Sequence, residues 1–321
     1  MESFRDISAS SLEIGRLKEE MDIHGYVMIR RLLPVEELSP LLGDINGVLL
    51  KAGWLKPNTS SFDRIANVAA ECADGDRTYK GVRNKVFRLQ SFHALPHHPL
   101  LLRVMKLLVG ERLLIHPKSE VRLIWPNFER GVVHAHQDHT AIAGDEESFT
   151  AWIALHDCPL VQGPLRVLDG SHRFGLLPTV GQTGYISRET EGGCNWVEGD
   201  IRAGDVLLFH SLTVHEAVPN RSRRFRISLD CRFQSYERVI DPGAFVFTGA
   251  GERSWENTYA SWTADATELK YYWTKLPLRL KPSKAELADL ARTCESTKMR
   301  ERYGRIVERL ESQRFGVGCL N

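Results

Sequence analysis

Between Arg224 and Phe233 the chain alternates strictly. Phe225, Ile227, Leu229, Cys231 and Phe233 fall on one side of an extended segment, and Arg226, Ser228, Asp230 and Arg232 on the other. This period of two predicts a strand with one apolar and one polar face. If helices pack on the apolar face, the polar face lines the interior of a barrel, where a charged Arg226 needs a buried anion to justify its position. Four more β-like runs, 121–125, 148–156, 165–168 and 206–209, are broken by turn residues across 113–233. That is the pattern of a sandwich or jelly roll.

On either side the spacing becomes helical. Ser10-Ser11-Leu12-Glu13 predicts a capping box for a helix with Leu17 and Met21 on one face, followed by a strand over 26–29. Pro34 suits the first position of a second helix, in which Leu38, Leu41, Leu42, Ile45, Val48 and Leu49 recur up to Gly53. Residues 54–85 are weakly periodic and predict a long, partly irregular segment, after which Leu101, Val104, Met105 and Leu108 form another helical stripe ended by Gly110. Beyond Tyr236, Trp255, Tyr259, Trp262, Tyr271, Tyr272 and Trp273 crowd together, first of all as core packing, with a cover over the active site or a subunit interface as the alternatives, and Ser283 with Glu286 caps a helix carrying Leu287, Leu290 and Cys294. Tyr303, Ile306 and Leu310 mark a last helix. With no linker and no internal repeat, the fold class is α+β and the organisation a single domain over 1–321: a mainly helical part at 1–112, a jelly-roll core at 113–235 and an aromatic-rich, helical extension at 236–321.

Charge alters this picture little. Lys and Arg total 42 against 41 Asp and Glu, a balance that does not suggest a nucleic-acid or anionic-membrane binder. No apolar stretch is long enough to span a bilayer and the first residues lack an apolar leader core, so the expectation is a cytoplasmic protein. Cys72, Cys158, Cys194, Cys231, Cys294 and Cys319 are scattered without CxxC pairs and predict buried free thiols.

Candidate chemistry centres on His136 and Asp138, two residues apart on what the pattern suggests is one extended segment, so that both side chains face one way. A metal held by this pair needs a third ligand, for which His215 is the candidate and His210 its rival. Two histidines and one carboxylate form a facial triad whose open positions suit non-haem Fe(II) holding a co-substrate and dioxygen. His134 and His139 flank the pair as supporting or exposed residues, while His93, His97 and His98 fit loops or helix caps. Arg77, Lys80, Arg83, Lys85 and Arg88 run without an intervening acid, either as an ordinary solvated basic face or as a rim for an anionic substrate; Arg83, Arg88 and Gln90 are the candidate substrate contacts. The connections at 144–147 and 181–203 are candidate lids or plain surface loops.

The His136–Asp138 pair, the stretches WIALHDCPLVQGPLRVLDGSH (152–172) and GDVLLFHSLTVH (204–215), His215 at 77 residues after Asp138 and Arg226 eleven residues later together resemble the phytanoyl-CoA dioxygenase family of Fe(II)/2-oxoglutarate oxygenases, over residues 25–233. The resemblance implies a double-stranded β-helix, a cupin-like jelly roll, with His136, Asp138 and His215 on Fe(II) and Arg226 on the distal carboxylate of 2-oxoglutarate. It prefers His215 to His210, makes His172 a structural turn residue, and matches Trp152 to a position near the co-substrate. With Fe(II), 2-oxoglutarate and O2 as cofactor and co-substrates, it implies hydroxylation of an unactivated carbon in a small metabolite or biosynthetic intermediate, giving succinate and CO2. Desaturation, epoxidation and cyclisation share these cofactors, and a non-oxidative cupin-like isomerase or binding protein shares the barrel; Arg226 counts against the latter. The partner implied is a small molecule rather than nucleic acid or membrane, and the C-terminal helices offer a possible homodimer interface.

Overall fold

The computed structural model describes residues 2–128, 133–180, 185–187, 193–247 and 253–312. In chain order, β1 (Asp6–Ser8) and α1 (Ile14–His24) precede β2 (Tyr26–Arg30), α2 (Val35–Lys51), α3 (Arg77–Val86), α4 (Gln90–Ala94) and α5 (Pro99–Val109). Then come β3 (Leu113–Ile115), β4 (Glu120–Ile124), α6 (His139–Ile142), β5 (Ser148–Ala154), β6 (Leu165–Leu168), β7 (Trp196–Val197), β8 (Val206–His210), β9 (His215–Ala217), β10 (Arg226–Ser235) and β11 (Val239–Ile240). The chain continues through α7 (Trp255–Tyr259), β12 (Arg279–Leu280), α8 (Lys284–Thr293) and α9 (Thr297–Ser312).

Seven strands form one sheet in the order β1-β2-β8-β5-β10-β3, with β4 also paired to β10, and β7-β6-β9 form a smaller sheet. The alternation along β10 decides what each face does. Phe225, Ile227, Leu229, Cys231 and Phe233 enter the largest hydrophobic cluster, with Leu41 and Ile45 of α2 and Leu101 and Met105 of α5. Helices therefore cover that face, and Arg226, Ser228, Asp230 and Arg232 point the other way. Antiparallel register places Asp230 opposite Trp152 and Arg232 opposite Thr150 on β5. The aromatic C-terminal residues form a second cluster around Trp255, Trp262 and Trp273, which also takes in Leu114 of β3. Among the described residues no helix is long and apolar enough to cross a membrane.

Several local expectations need correction. Ser10 and Ser11 lie in a 3-10 turn, and α1 is preceded by Glu13 in extended conformation (ψ 140°) without a side-chain cap, so no capping box forms there. Pro34 sits one residue before α2 with ψ 131°, outside the helix rather than at its first position. The segment 54–85 is partly irregular, as its weak periodicity implies, and Tyr79, Val82 and Val86 give α3 at its end a buried face. The capping box at Ser283 and Glu286 is present. Cys72, Cys158, Cys194, Cys231 and Cys294 are free thiols, and Cys319 lies outside the described residues.

Entry into β8 depends on a glycine. Gly204 has φ +86°, its carbonyl accepts from Leu33 N at 2.9 Å, and a Cβ there would stand 2.2 Å from Leu33 O. The clash is with backbone and cannot be relieved by a rotamer change. Gly204→Ala is expected to cost about 1–3 kcal/mol, read as a lower urea midpoint. An unchanged midpoint would show that the approach of Leu33 to Gly204 is not fixed in solution.

Candidate metal centre

His136 and His215 meet through backbone pairing. His136 N donates to His215 O at 3.1 Å and His215 N to His136 O at 3.0 Å, which draws their rings to 4.2 Å between centroids. Asp138 joins them differently from the strand expectation: its backbone is helical (φ −60°, ψ −29°) and leads into α6. The turn between the two residues is pinned by buried Gln137, whose Nε2 donates to Leu212 O at 2.6 Å and Gly175 O at 2.9 Å and whose Oε1 accepts from Leu177 N at 2.8 Å. Convergence thus comes from a turn and an amide clamp, not from the two-residue period of a strand.

Asp138 Oδ1 lies 3.8 Å from His136 Nε2 and 4.0 Å from His215 Nε2. One donor atom from each residue falls within 4.8 Å of the others, and this is the only such His/Cys/Asp/Glu group among the described residues. The far nitrogens are already committed: His136 Nδ1 donates to His134 O at 2.8 Å and His215 Nδ1 to Thr213 O at 3.0 Å. Each bond fixes the tautomer that leaves Nε2 with a free lone pair. Burial pushes the His136 imidazole down to about 3, helped by His215, and also lowers His215. Both rings are therefore neutral and able to ligate at neutral pH. Burial acts to raise the Asp138 carboxyl, but the Arg232 guanidinium, with the Thr150 hydrogen bond, outweighs it and holds it well below the usual carboxylate range.

Arg232 and Thr150 are the partners that sequence reasoning missed. Thr150 Oγ1 donates to Asp138 Oδ2 at 2.6 Å, and Arg232 reaches Oδ1 at 3.3 Å and Oδ2 at 3.4 Å. The signal was available, since Arg232 lies on the same polar face of the alternating strand as Arg226. Arg122 of β4 was a second omission; its Nε donates to Asp230 Oδ2 at 3.0 Å.

The triad histidines share a cavity with Arg122, Trp152, Arg226 and Asp230. Arg226 is 1% exposed, with its guanidinium carbon 5.7 Å from the centre of the Trp152 ring. Its Nη1 donates to Ser228 Oγ at 3.0 Å, while its buried Nε and the buried Oδ1 of Asp230 have no hydrogen-bond partner among the described residues. Arg83, Arg88 and Gln90 do not line this cavity. Arg83 pairs with Asp74 at 3.0 Å, Arg88 O accepts from Trp262 Nε1 at 2.9 Å, and Gln90 Oε1 accepts from Thr263 N at 3.0 Å, so the structure shows them joining segments. His210 accepts from Leu212 N at 3.1 Å through Nδ1 and packs on Phe149, outside the triad. His172 lies in a turn with Nε2 3.1 Å from Asp22 O. Of the two candidate lids, 144–147 begins with Gly144 against the backbone of Val239 and Ile240, whereas much of 181–203 lies outside the described residues.

A profile described as phytanoyl-CoA dioxygenase matches residues 21–228, about two thirds of the chain, and includes all three triad residues and Arg226. The chain belongs to the phytanoyl-CoA dioxygenase family. It is accordingly a non-haem Fe(II)/2-oxoglutarate oxygenase, and its triad supplies the donor types that such an iron takes. Among curated relatives, 1-deoxypentalenic acid 11-beta-hydroxylase of Streptomyces arenae is 27% identical over 233 residues, covering 66% of this chain and 78% of the relative. Among solved structures, the epimerase SnoN in complex with Fe3+, alpha-ketoglutarate and nogalamycin RO has a TM-score of 0.53 at 24% identity, covering 75% of this chain and 92% of that one. The alpha-ketoglutarate-dependent carbocyclase SnoK from nogalamycin biosynthesis also scores 0.53, at 22% identity over 72% of this chain and 87% of that one. At these identities the two structures speak for a shared fold alone.

Proposed function

We propose that this member of the family hydroxylates an unactivated carbon of a small biosynthetic intermediate, with His136, Asp138 and His215 as the Fe(II) ligands and Arg226 as the clamp for 2-oxoglutarate. The reading takes the larger and smaller sheets as the two walls of a double-stranded β-helix and residues 1–321 as one catalytic unit. One observation carries it: a fully buried guanidinium shares the triad's cavity, and among the described residues its Nε has no partner and its one hydrogen bond is to the neutral hydroxyl of Ser228. An uncompensated buried charge is costly, and a carboxylate arriving there would be bound bidentately and with its charge matched. A site that held only a metal would not need it.

When bound, Fe(II) with 2-oxoglutarate and dioxygen supplies the oxidant for an unactivated carbon while 2-oxoglutarate becomes succinate and CO2. The chain's own contribution is positional. The carbonyls of His134 and Thr213 hold both imidazoles in the ligating tautomer, and Thr150 and Arg232 fix the orientation of the Asp138 carboxylate. Buried Trp152, Leu165 and Phe209 keep water from the walls around them. The hydroxylase named among the relatives favours oxygen insertion over the other outcomes open to this cofactor set.

The test is a screen of small terpenoid and polyketide acids for substrate-dependent succinate release, followed by mass analysis of the product made under isotopically labelled dioxygen. Hydroxylation puts one labelled oxygen into the product. A product of unchanged mass, or one lacking two hydrogens, would replace hydroxylation by epimerisation, or by desaturation or ring closure.

A further inference from the structure

Arg232 also lines a second cavity, of about 70 Å³, together with His116, Lys118, Asp241 and Arg302 and with Ala141 and Ile142 of α6. We propose that this cavity is an oxyanion subsite, which takes a carboxylate or phosphate group between Lys118, Arg232 and Arg302.

Charge is the first argument. Three cations and one acid surround the space. Arg232 is directed to Asp138 at 3.3 Å; Lys118 and Arg302 make no ion pair within 4 Å among the described residues, where Asp241 attracts both and Glu120 attracts Lys118. Asp241, the lone acid, spends Oδ1 on Gly243 N at 2.7 Å. Lys118 Nζ donates to Gly243 O and, at 2.9 Å, to Val246 O, which leaves one of an ammonium's three protons for a ligand. Burial pushes Lys118 down to about 8, so it is still mostly charged at neutral pH. Clustering cations in a partly buried space is unfavourable until an anion joins them.

Size is the second. A cavity of about 70 Å³ has room for one carboxylate or phosphate head. Connection is the third. Arg232 lines this cavity while donating to Asp138, and α6, which lines it too, starts at the residue after Asp138. An acidic group bound here would lie one guanidinium away from the proposed metal ligand. These observations hold whether or not the proposed reaction is correct.

The test is calorimetric titration of the full-length protein with inorganic phosphate and, separately, with acetate, at ionic strength held constant with sodium chloride and with Fe(II) added or omitted under nitrogen. Saturable binding is expected in the wild type and in Arg226→Gln, which alters only the other cavity. It should weaken about tenfold in Arg302→Gln, whose site is on an outer helix, and similarly in Lys118→Gln, on loss of one charge-assisted hydrogen bond. Tighter phosphate binding would identify a phosphate group or free phosphate as the ligand, and acetate binding at least as tight would identify an organic acid. Absence of saturable heat with either anion, or affinities unchanged in both Arg302→Gln and Lys118→Gln, would overturn the proposal.

Discussion

Asp138→Ala is expected to abolish turnover and to unfold more easily even without metal. Asp138 is 2% exposed and accepts hydrogen bonds from Thr150 and Arg232. Removing the carboxylate strands the Arg232 guanidinium in a buried setting, and breaking a buried pair from one side costs about 3–5 kcal/mol. Metal affinity should fall by more than the roughly 10–100-fold that follows loss of a hydrogen-bond partner to a ligand, because here the ligand itself is gone. Asp138→Asn separates the two effects: an amide oxygen can still accept from Thr150, so stability should recover in part, while the lost charge keeps metal binding weak. Urea unfolding of the metal-free variants and anaerobic Fe(II) titration read the two quantities independently. Full activity in Asp138→Ala would remove the residue from the site, and wild-type stability would show that Arg232 does not depend on it.

Legibility followed the range of the interaction. The period-two pattern of β10 is written in consecutive residues, and the structure placed its apolar and polar faces as that pattern implies. The pairing of His136 with His215 was reached through resemblance, since no local signal links residues that far apart. Arg226 was singled out because its charge on that face called for an anion, yet Arg232 six residues on met the same criterion. Its partner, Asp138, lies on a distant turn, and a sequence pattern does not name partners across the fold. The same limit applies at Arg83. The basic run left a solvated face and a rim for an anion both open, and the pattern did not name Asp74, just ahead of the run, as the residue that pairs with Arg83 at 3.0 Å. The extended reading of His136 to Asp138 failed because Gln137, between them, is the buried clamp that turns the chain. Ser10 looked like a helix cap only because its spacing to Glu13 fits, whereas Glu13 itself is still extended.

Arg226→Met should move stability and co-substrate affinity in opposite directions. In the protein without 2-oxoglutarate, Arg226 is a buried cation held by one neutral hydroxyl and by the face of Trp152 at 5.7 Å. Replacing a poorly compensated buried charge with an apolar chain of similar length is neutral or stabilising, by about 1–4 kcal/mol, so the melting temperature should hold or rise. With 2-oxoglutarate the same change removes a bidentate, charge-assisted contact. Losses of that kind cost at least about 2 kcal/mol, or about thirtyfold in affinity, and the KM for 2-oxoglutarate should rise accordingly while the KM for the primary substrate moves little. The weak visible band of the anaerobic Fe(II)/2-oxoglutarate complex should need correspondingly more co-substrate to develop. Arg226→Lys sharpens the contrast, because it keeps the charge and loses the planar fork: it should regain part of the affinity and none of the stability. A variant with a lower melting temperature and unchanged 2-oxoglutarate affinity would make Arg226 a structural residue and leave the clamp to be found elsewhere in the cavity, with Arg122 the next guanidinium along its wall.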